Sequence, residues 1–168
     1  KHTKNVLYEI QTDIDFKDKK IEIDRCHLID RLRENLDQKQ ILILSGVGGV
    51  GKTAVIKKFF EIEQGGIPFY VFKANEFKKD SINDLFDGYS LEDFSNSHRE
   101  EIRKVIVVDS AEKILELTNT DPFKEFITVL IKDKWQIIFT TRNNYLADLN
   151  YDFIDIYKIS PGNFGISN

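Results

Sequence analysis

One short run constrains this chain more than any other: Gly46-Val47-Gly48-Gly49-Val50-Gly51-Lys52-Thr53 satisfies G-x-x-x-x-G-K-[ST] at every fixed position. The spacing follows from the chemistry of holding phosphate. Glycines admit positive φ and bring bare backbone N–H groups close around anionic oxygens. A helix starting at about Lys52 points its positive dipole end at the same place. Lys52 then supplies a full charge to the outer phosphates, and the Thr53 hydroxyl is a ligand for Mg²⁺. The flanks agree with this reading. Ile41-Leu42-Ile43-Leu44 is an all-apolar run suited to a strand buried on both faces. After the loop, Val55, Ile56, Phe59, Phe60 and Ile62 predict a helix packed on a sheet, ended by Gly65-Gly66. Residues Gly46 through Ala54 are therefore the predicted nucleotide-binding set, with Thr53 also a metal ligand.

Further strands are expected at Ile67–Phe72, Val105–Val108, Ile137–Phe139 and Phe153–Ile159. Asp24 is read as the N-cap of a helix carrying Leu28, Ile29, Leu32 and Leu36, and Asp121-Pro122 as the start of another carrying Phe123, Phe126, Ile127, Leu130 and Ile131. Ala111–Leu117 is read as a helix start, and Ala74–Lys104 as short helices and loops. Strands alternating with helices predict an α/β three-layer sandwich, a mostly parallel five-stranded sheet with helices on both faces. Residues 1–20 are read as a lead-in, 21–161 as the domain, and 162–168 as a tail beginning in the chain-breaking Ser160-Pro161-Gly162-Asn163.

Net charge of −4, with both signs mixed, gives no direct signal for nucleic acid. The cluster Lys17, Lys19 and Lys20 is interleaved with Asp13, Asp15 and Asp18 and is read as a solvated loop. No apolar run approaches the length that spans a bilayer. The single cysteine, Cys26, excludes an internal disulfide and fits a reducing, cytoplasmic setting. The chain starts at Lys1 and holds no methionine, which is read as a piece of a longer protein.

Beyond the loop, Val105-Ile106-Val107-Val108-Asp109 places a carboxylate at the C-terminal end of a buried strand, where open α/β sheets bind ligands. Asp109 is the expected metal-side acid. Glu112, three residues on, is the candidate for orienting or deprotonating water, with an acid favoured by the helix dipole as its alternative. Thr140-Thr141-Arg142 ends another strand: Thr141 is a candidate γ-phosphate sensor and Arg142 a candidate for stabilising that phosphate, with a surface-paired arginine as the alternative. No guanine-selecting N-K-x-D follows a strand, so adenine is the expected base. His2, His27 and His98 show no metal-ligand spacing.

The order of phosphate loop, additional strand, hydrophobic run with Asp109 and a strand ending Thr-Thr-Arg resembles the STAND class of P-loop ATPases, which includes the NACHT and apoptotic-type ATPases and is related to AAA+ proteins. Ser110 is a small residue directly after the metal-side Asp, as in NACHT-like domains, where classical AAA+ members carry the catalytic Glu. Glu112 matches the first of the further acids, and Lys113 departs from the pattern. Ile23-Asp24-Arg25 is similar to a hydrophobic-x-Arg motif near the adenine base, with Asp24 in place of the usual Gly; Arg25 is carried over on that ground.

The resemblance implies a slow ATP-driven switch that holds ATP and Mg²⁺, works with other domains of the same longer chain beyond Asn168, and oligomerises in a nucleotide-dependent way. A motor or loader ATPase of AAA+ type, a small-molecule kinase and an interaction module without useful turnover are the competing readings. The kinase reading suffers from a segment 74–104 that offers only Arg99 and Arg103 as a lid.

Overall fold

The computed structural model describes residues 1–16, 19–22 and 24–167, with the side chains of residues 13–23 outside that description. Of the residues singled out above, Lys17, Asp18, Ile23 and Asn168 lie outside the described residues. Helix α1 (His2–Tyr8) leads into an antiparallel hairpin, β1 (Asp13–Phe16) with β2 (Lys19–Glu22), where the lead-in was expected to hold a solvated loop. Helix α2 (Cys26–Gln38) follows, with Arg25 at the N-cap position and the Asp24 carboxylate accepting the Cys26 N–H.

The main sheet is built from β3 (Ile41–Gly46), β4 (Phe69–Lys73), β5 (Val105–Asp109), β6 (Gln136–Arg142) and β7 (Gly162–Ile166). Its spatial order is β4-β5-β6-β3-β7, and every neighbouring pair is parallel. Helix α3 (Lys52–Glu63) follows the glycine loop, α4 (Leu91–Asn96) lies in the segment after β4, and α5 (Asp121–Lys132) and α6 (Leu146–Tyr157) flank β6. Among the described residues, no helix is long and apolar enough to cross a membrane.

Why these runs become central strands is visible in which way their side chains go. Every residue of β3 and of β5 is buried. Because successive strand side chains point to opposite faces, Ile41, Ile43, Ile106, Val108, Ile137 and Phe139 join one core with α5 and α6. Leu42, Leu44, Val105, Val107 and Ile138 join the other with α1, α2 and α3. A run apolar at every position is what a strand covered on both faces requires.

The expected strand at Phe153–Ile159 is instead the second half of α6. Leu146, Leu149, Phe153 and Tyr157 recur at helical spacing, and Leu149 and Phe153 are buried. Lys158 closes that helix with φ of 54°. The fifth strand is β7, inside the stretch expected as a tail. Phe164 and Ile166 alternate inward while Asn163 and Gly165 are exposed, so the period is that of a strand although Pro161 and two glycines obscure it. Gly162 is required by close approach: a Cβ there would lie 3.1 Å from both Leu42 Cδ1 and Lys39 Cγ. The sheet therefore runs to Ile166.

Two smaller shifts complete the comparison. The helix start at Ala111 is a 3₁₀ segment, Ala111–Glu116, and α5 has Thr120, not Asp121, at its N-cap position.

Candidate functional site

Parallel strands bring all their C-terminal ends to one edge of the sheet, and the order places β6 between β3 and β5. The glycine loop leaving β3, the Asp109 end of β5 and the Thr-Thr-Arg end of β6 therefore meet without any contribution from loop flexibility. A cleft of about 280 Å³ opens there. It is lined by Gly48, Gly49, Gly51, Lys52, Thr53 and Ala54 from the loop and α3, and by Asp109, Ser110, Glu112, Thr140 and Arg142 from β5, β6 and their exits.

The loop geometry separates structural glycines from those beside the open space. A Cβ at Gly46 would sit 2.7 Å from Val50 Cγ1 and 3.0 Å from the Ile166 carbonyl, so Gly46 lets the loop leave β3 against β7. Gly49 and Gly51 hold φ of 80° and 92°, the left-handed region open to glycine. At Gly48 and Gly49 an added Cβ would meet no protein atom within 4 Å, which leaves that side of the loop free for a ligand's oxygens. Lys52 Nζ donates to the carbonyls of Gly46 and Val47, each at 3.0 Å. Burial lowers the Lys52 pKa; Glu112 and Asp109 push it back up, and Arg142 adds to the lowering. An anion beside the ammonium would reverse that cost. Val47 is exposed, Val50 half-buried, and neither lines the cleft.

In the same cleft, two hydroxyls converge on one carboxylate oxygen. Thr53 Oγ1 donates to Asp109 Oδ1 at 3.1 Å, and Thr140 Oγ1 donates to the same atom at 2.6 Å. The Ser110 N–H in turn donates to Thr140 Oγ1 at 2.9 Å. Ser110 is itself left-handed, with φ of 60°, an uncommon conformation for a residue with a side chain. That turn folds the following 3₁₀ segment back, so Glu112 is buried and lines the cleft. Thr141 Oγ1 donates to Glu112 Oε2 at 3.2 Å, and Arg142 Nε stands 3.6 Å from Glu112 Oε1. Arg142 is thus paired with an acid, but one inside the cleft rather than on the outer surface.

Among the described residues no group of three or more His, Cys, Asp or Glu side chains could hold a metal alone. A Mg²⁺ ion does not need one, since it keeps several waters and takes one or two protein oxygens plus phosphate oxygens. Thr53 and Asp109 supply hard oxygen donors of that kind.

Arg25 stands against the glycine loop. It is outside the cleft lining, with Nη1 donating to the Thr12 carbonyl at 3.1 Å and Nη2 3.2 Å from where a Gly51 Cβ would be. Residues that sequence reasoning left out are Thr140, which holds Asp109, and Ile10 with Gln11, which line the cleft from the lead-in. The signal for Thr140 was available. Once β5 and β6 are neighbours, the polar residue following Phe139 must face the one following Val108, the pair with which Phe139 is in register. For Ile10 and Gln11 no pattern existed; Lys57 Nζ holds the Ile10 carbonyl at 2.7 Å, a contact between parts of the chain far apart in sequence.

No protein-family model matches the chain, and no curated protein matches it. Solved structures do. The Walker-type ATPase PABY2304 of Pyrococcus abyssi superimposes with a TM-score of 0.60 at 14% identity, over 95% of this chain and 57% of that one. A replication initiator DnaA bound to AMPPCP and single-stranded DNA gives 0.60 at 15% identity, over 88% of this chain and 48% of its own. The S. cerevisiae Hsp104–ADP complex gives 0.60 at 16%, over 96% of this chain and 25% of its own. The fold is that of the P-loop NTPases. The chain spans between 25% and 57% of the length of these three proteins. In this fold Gly46–Thr53 runs from the exit of central strand β3 into α3.

Proposed function

We propose that this chain binds ATP with Mg²⁺ and acts as the nucleotide-binding domain of a slow ATP-driven switch of the STAND/NACHT-like kind. The observation that carries the reading is the meeting of Thr53 and Thr140 hydroxyls on Asp109 Oδ1 in the same glycine-lined cleft as Lys52. Gly48–Thr53 would cradle the phosphates with backbone N–H groups, and Lys52 would neutralise the outer ones. Mg²⁺, held by Thr53 and Asp109, would supply charge neutralisation between phosphate groups. Adenine is favoured because the chain carries no guanine-selecting motif, and fold neighbours bound to AMPPCP and ADP accord with it.

Slow turnover is supported by what stands next to Asp109. The adjacent position is Ser110, whose backbone is spent on Thr140. The acid that faces the cleft, Glu112, is engaged by Thr141 and Arg142. With one oxygen turned to Thr141 and the other to Arg142, Glu112 has to be released before it can hold an attacking water. Other domains of a longer chain, and a second nucleotide-bound copy, are the partners such a switch requires. Glu112 also favours a second reading. Buried and facing the cleft, it is placed to serve a motor or loader ATPase of AAA+ type once Arg142 moves to a γ-phosphate.

The test is a thermal-shift series with ATP, ADP and GTP, each with Mg²⁺ and with EDTA. Ligands that bind only the folded state stabilise it by mass action, about 2.7 kcal/mol at a hundredfold excess over Kd. Adenine nucleotides should raise Tm and GTP should not. Equal shifts with GTP would overturn the adenine assignment, and no shift with any nucleotide would overturn the binding proposal.

Asp109→Asn should separate metal from nucleotide. The amide keeps the shape and can still accept the Thr53 and Thr140 hydroxyls, but it removes the charge that favours the cation. The Mg²⁺-dependent part of the ATP shift should fall to near zero, with the metal-free part retained. A full Mg²⁺ response in this variant would move the metal away from Asp109.

A further inference from the structure

A second cleft, about 810 Å³, shares no lining residue with the nucleotide cleft. It forms at the β4 edge of the sheet, three strands from β3. Tyr70 and Phe72 of β4 make its floor, and Phe86, Tyr89, Phe94 and His98 make its walls.

These rings are ordered against one another. Phe86 stacks on Phe94 with centroids 4.9 Å apart, and Phe94 stacks on buried Trp135 at 5.4 Å. Tyr70 packs edge-on to Phe94 at 5.0 Å, and its hydroxyl pairs with His98 Nε2 at 2.8 Å. Yet the platform is not covered: Phe86 and Phe94 are only half-buried and Tyr89 is 70% exposed. Ordered aromatic faces left open to water ask for an occupant.

The charge around them says which kind. From Asp80 to His98 the chain carries five acids and no lysine or arginine. Three of those acids, Asp84, Asp87 and Asp93, line the cleft. Asp84 and Asp93 each use one oxygen to cap a helix start, at Ser81 and Ser90, which fixes their side chains. The hydroxyl and N–H of Ser90 hold the Asp93 carboxyl below the ordinary aspartate pKa, so it stays charged. Asp87 is exposed and, among the described residues, its side chain makes no hydrogen bond or ion pair. The two histidines of the lining are engaged, His2 with Glu76 at 2.7 Å and His98 with Tyr70. Aromatic faces beneath a carboxylate rim attract a cation with an apolar stem, because the ring quadrupole and the acids act in the same sense.

We propose that this cleft is a docking site for a basic segment of a partner protein, which seats an arginine or lysine side chain on the Phe86–Phe94 stack beneath Asp84, Asp87 and Asp93. The volume suits several residues of peptide rather than a lone small ammonium ion. The site works independently of nucleotide binding at Lys52.

A ¹⁵N-labelled chain titrated by NMR with a short peptide of alternating arginine and alanine tests this. Two comparison titrations use the same peptide with glutamate for arginine, and tetramethylammonium chloride. Saturable shifts are expected at Tyr70, Phe86, Tyr89, Phe94 and His98, with none at Gly48–Thr53, and affinity should fall as salt rises. Asp87→Asn and Tyr89→Ala should each weaken the arginine peptide about twofold to fivefold. Both side chains are exposed, so Tm should be unchanged, and each variant checks the other. Absence of saturable binding, shifts that map elsewhere, equal binding of the glutamate peptide, or affinity unaltered by both variants would overturn the proposal. Tetramethylammonium binding as tightly as the peptide would overturn it in favour of a small-cation site.

Discussion

Lys52→Ala should abolish the rise in Tm that ATP produces in the parent chain, while leaving the Tm without nucleotide within about 2 °C of it. The ammonium is half-buried, and in the absence of ligand it is held by two loop carbonyls, Gly46 and Val47. Those carbonyls border an open cleft and can be solvated when the lysine is removed, so the fold loses little. The ligand loses much more. Burial already disfavours the lysine's charge, and a triphosphate beside it supplies the compensation that Glu112 and Asp109 supply only in part. At a hundredfold excess over Kd the parent gains about 2.7 kcal/mol, which in a chain of this size is roughly 5–10 °C. A variant that keeps that shift would show that the outer phosphates do not lie at Lys52, and with it the phosphate-loop assignment would fall. Differential scanning fluorimetry with ATP–Mg²⁺, checked by calorimetric titration, reads both quantities.

Legibility in the sequence divided along a physical line. The shape of the glycine loop, β3 and β5 were readable because their causes are local: glycines for positive φ, a lysine and hydroxyl at the helix start, and apolar runs buried on both faces. The sheet edge that collects Asp109 and Thr141 was also readable, since parallel strands deliver their C-terminal ends to one side. What failed depended on long-range placement. Phe153–Ile159 has the β-branched, aromatic look of a strand, but its helical periodicity begins earlier, at Leu146, outside the window that suggested a strand. Gly162–Ile166 looks like a chain end because Pro161 and two glycines mask a two-residue alternation. Its strand character comes from pairing with β3 and from the Gly162 approach to Leu42. The position of Arg25 against Gly51 and the Thr12 carbonyl rests on contacts that no local pattern announces. The engagement of Glu112 by Thr141 and Arg142 likewise needed the left-handed turn at Ser110, which no propensity of serine announces.

The largest loss of stability is expected at Phe126, and it should spare the nucleotide site. Phe126 is fully buried on α5 and joins two parts of one core: its ring lies 5.5 Å from Phe72 on β4, 5.0 Å from Phe77, and 6.4 Å from Phe86. Truncation to alanine removes the transfer energy of the ring and leaves a cavity whose walls are themselves rigid rings, so little of it can close. Substitutions of this kind cost about 3–5 kcal/mol, a large share of the 5–15 kcal/mol typical of a whole domain. Phe126→Ala should therefore lower Tm by roughly 6–20 °C and reduce the urea midpoint without changing the slope. The residues that meet on Asp109 lie on β5, β6 and α3 and are held to it by hydrogen bonds in which the lost ring takes no part. The ATP-induced increment should thus persist on the lowered baseline, whereas binding at the aromatic cleft should weaken, because Phe72 and Phe86 lose a common support. A cost below about 1 kcal/mol would mean that the aromatic cluster repacks around the gap. Loss of the ATP increment together with stability would mean that the core on this face of the sheet and the cleft at its C-terminal edge are coupled.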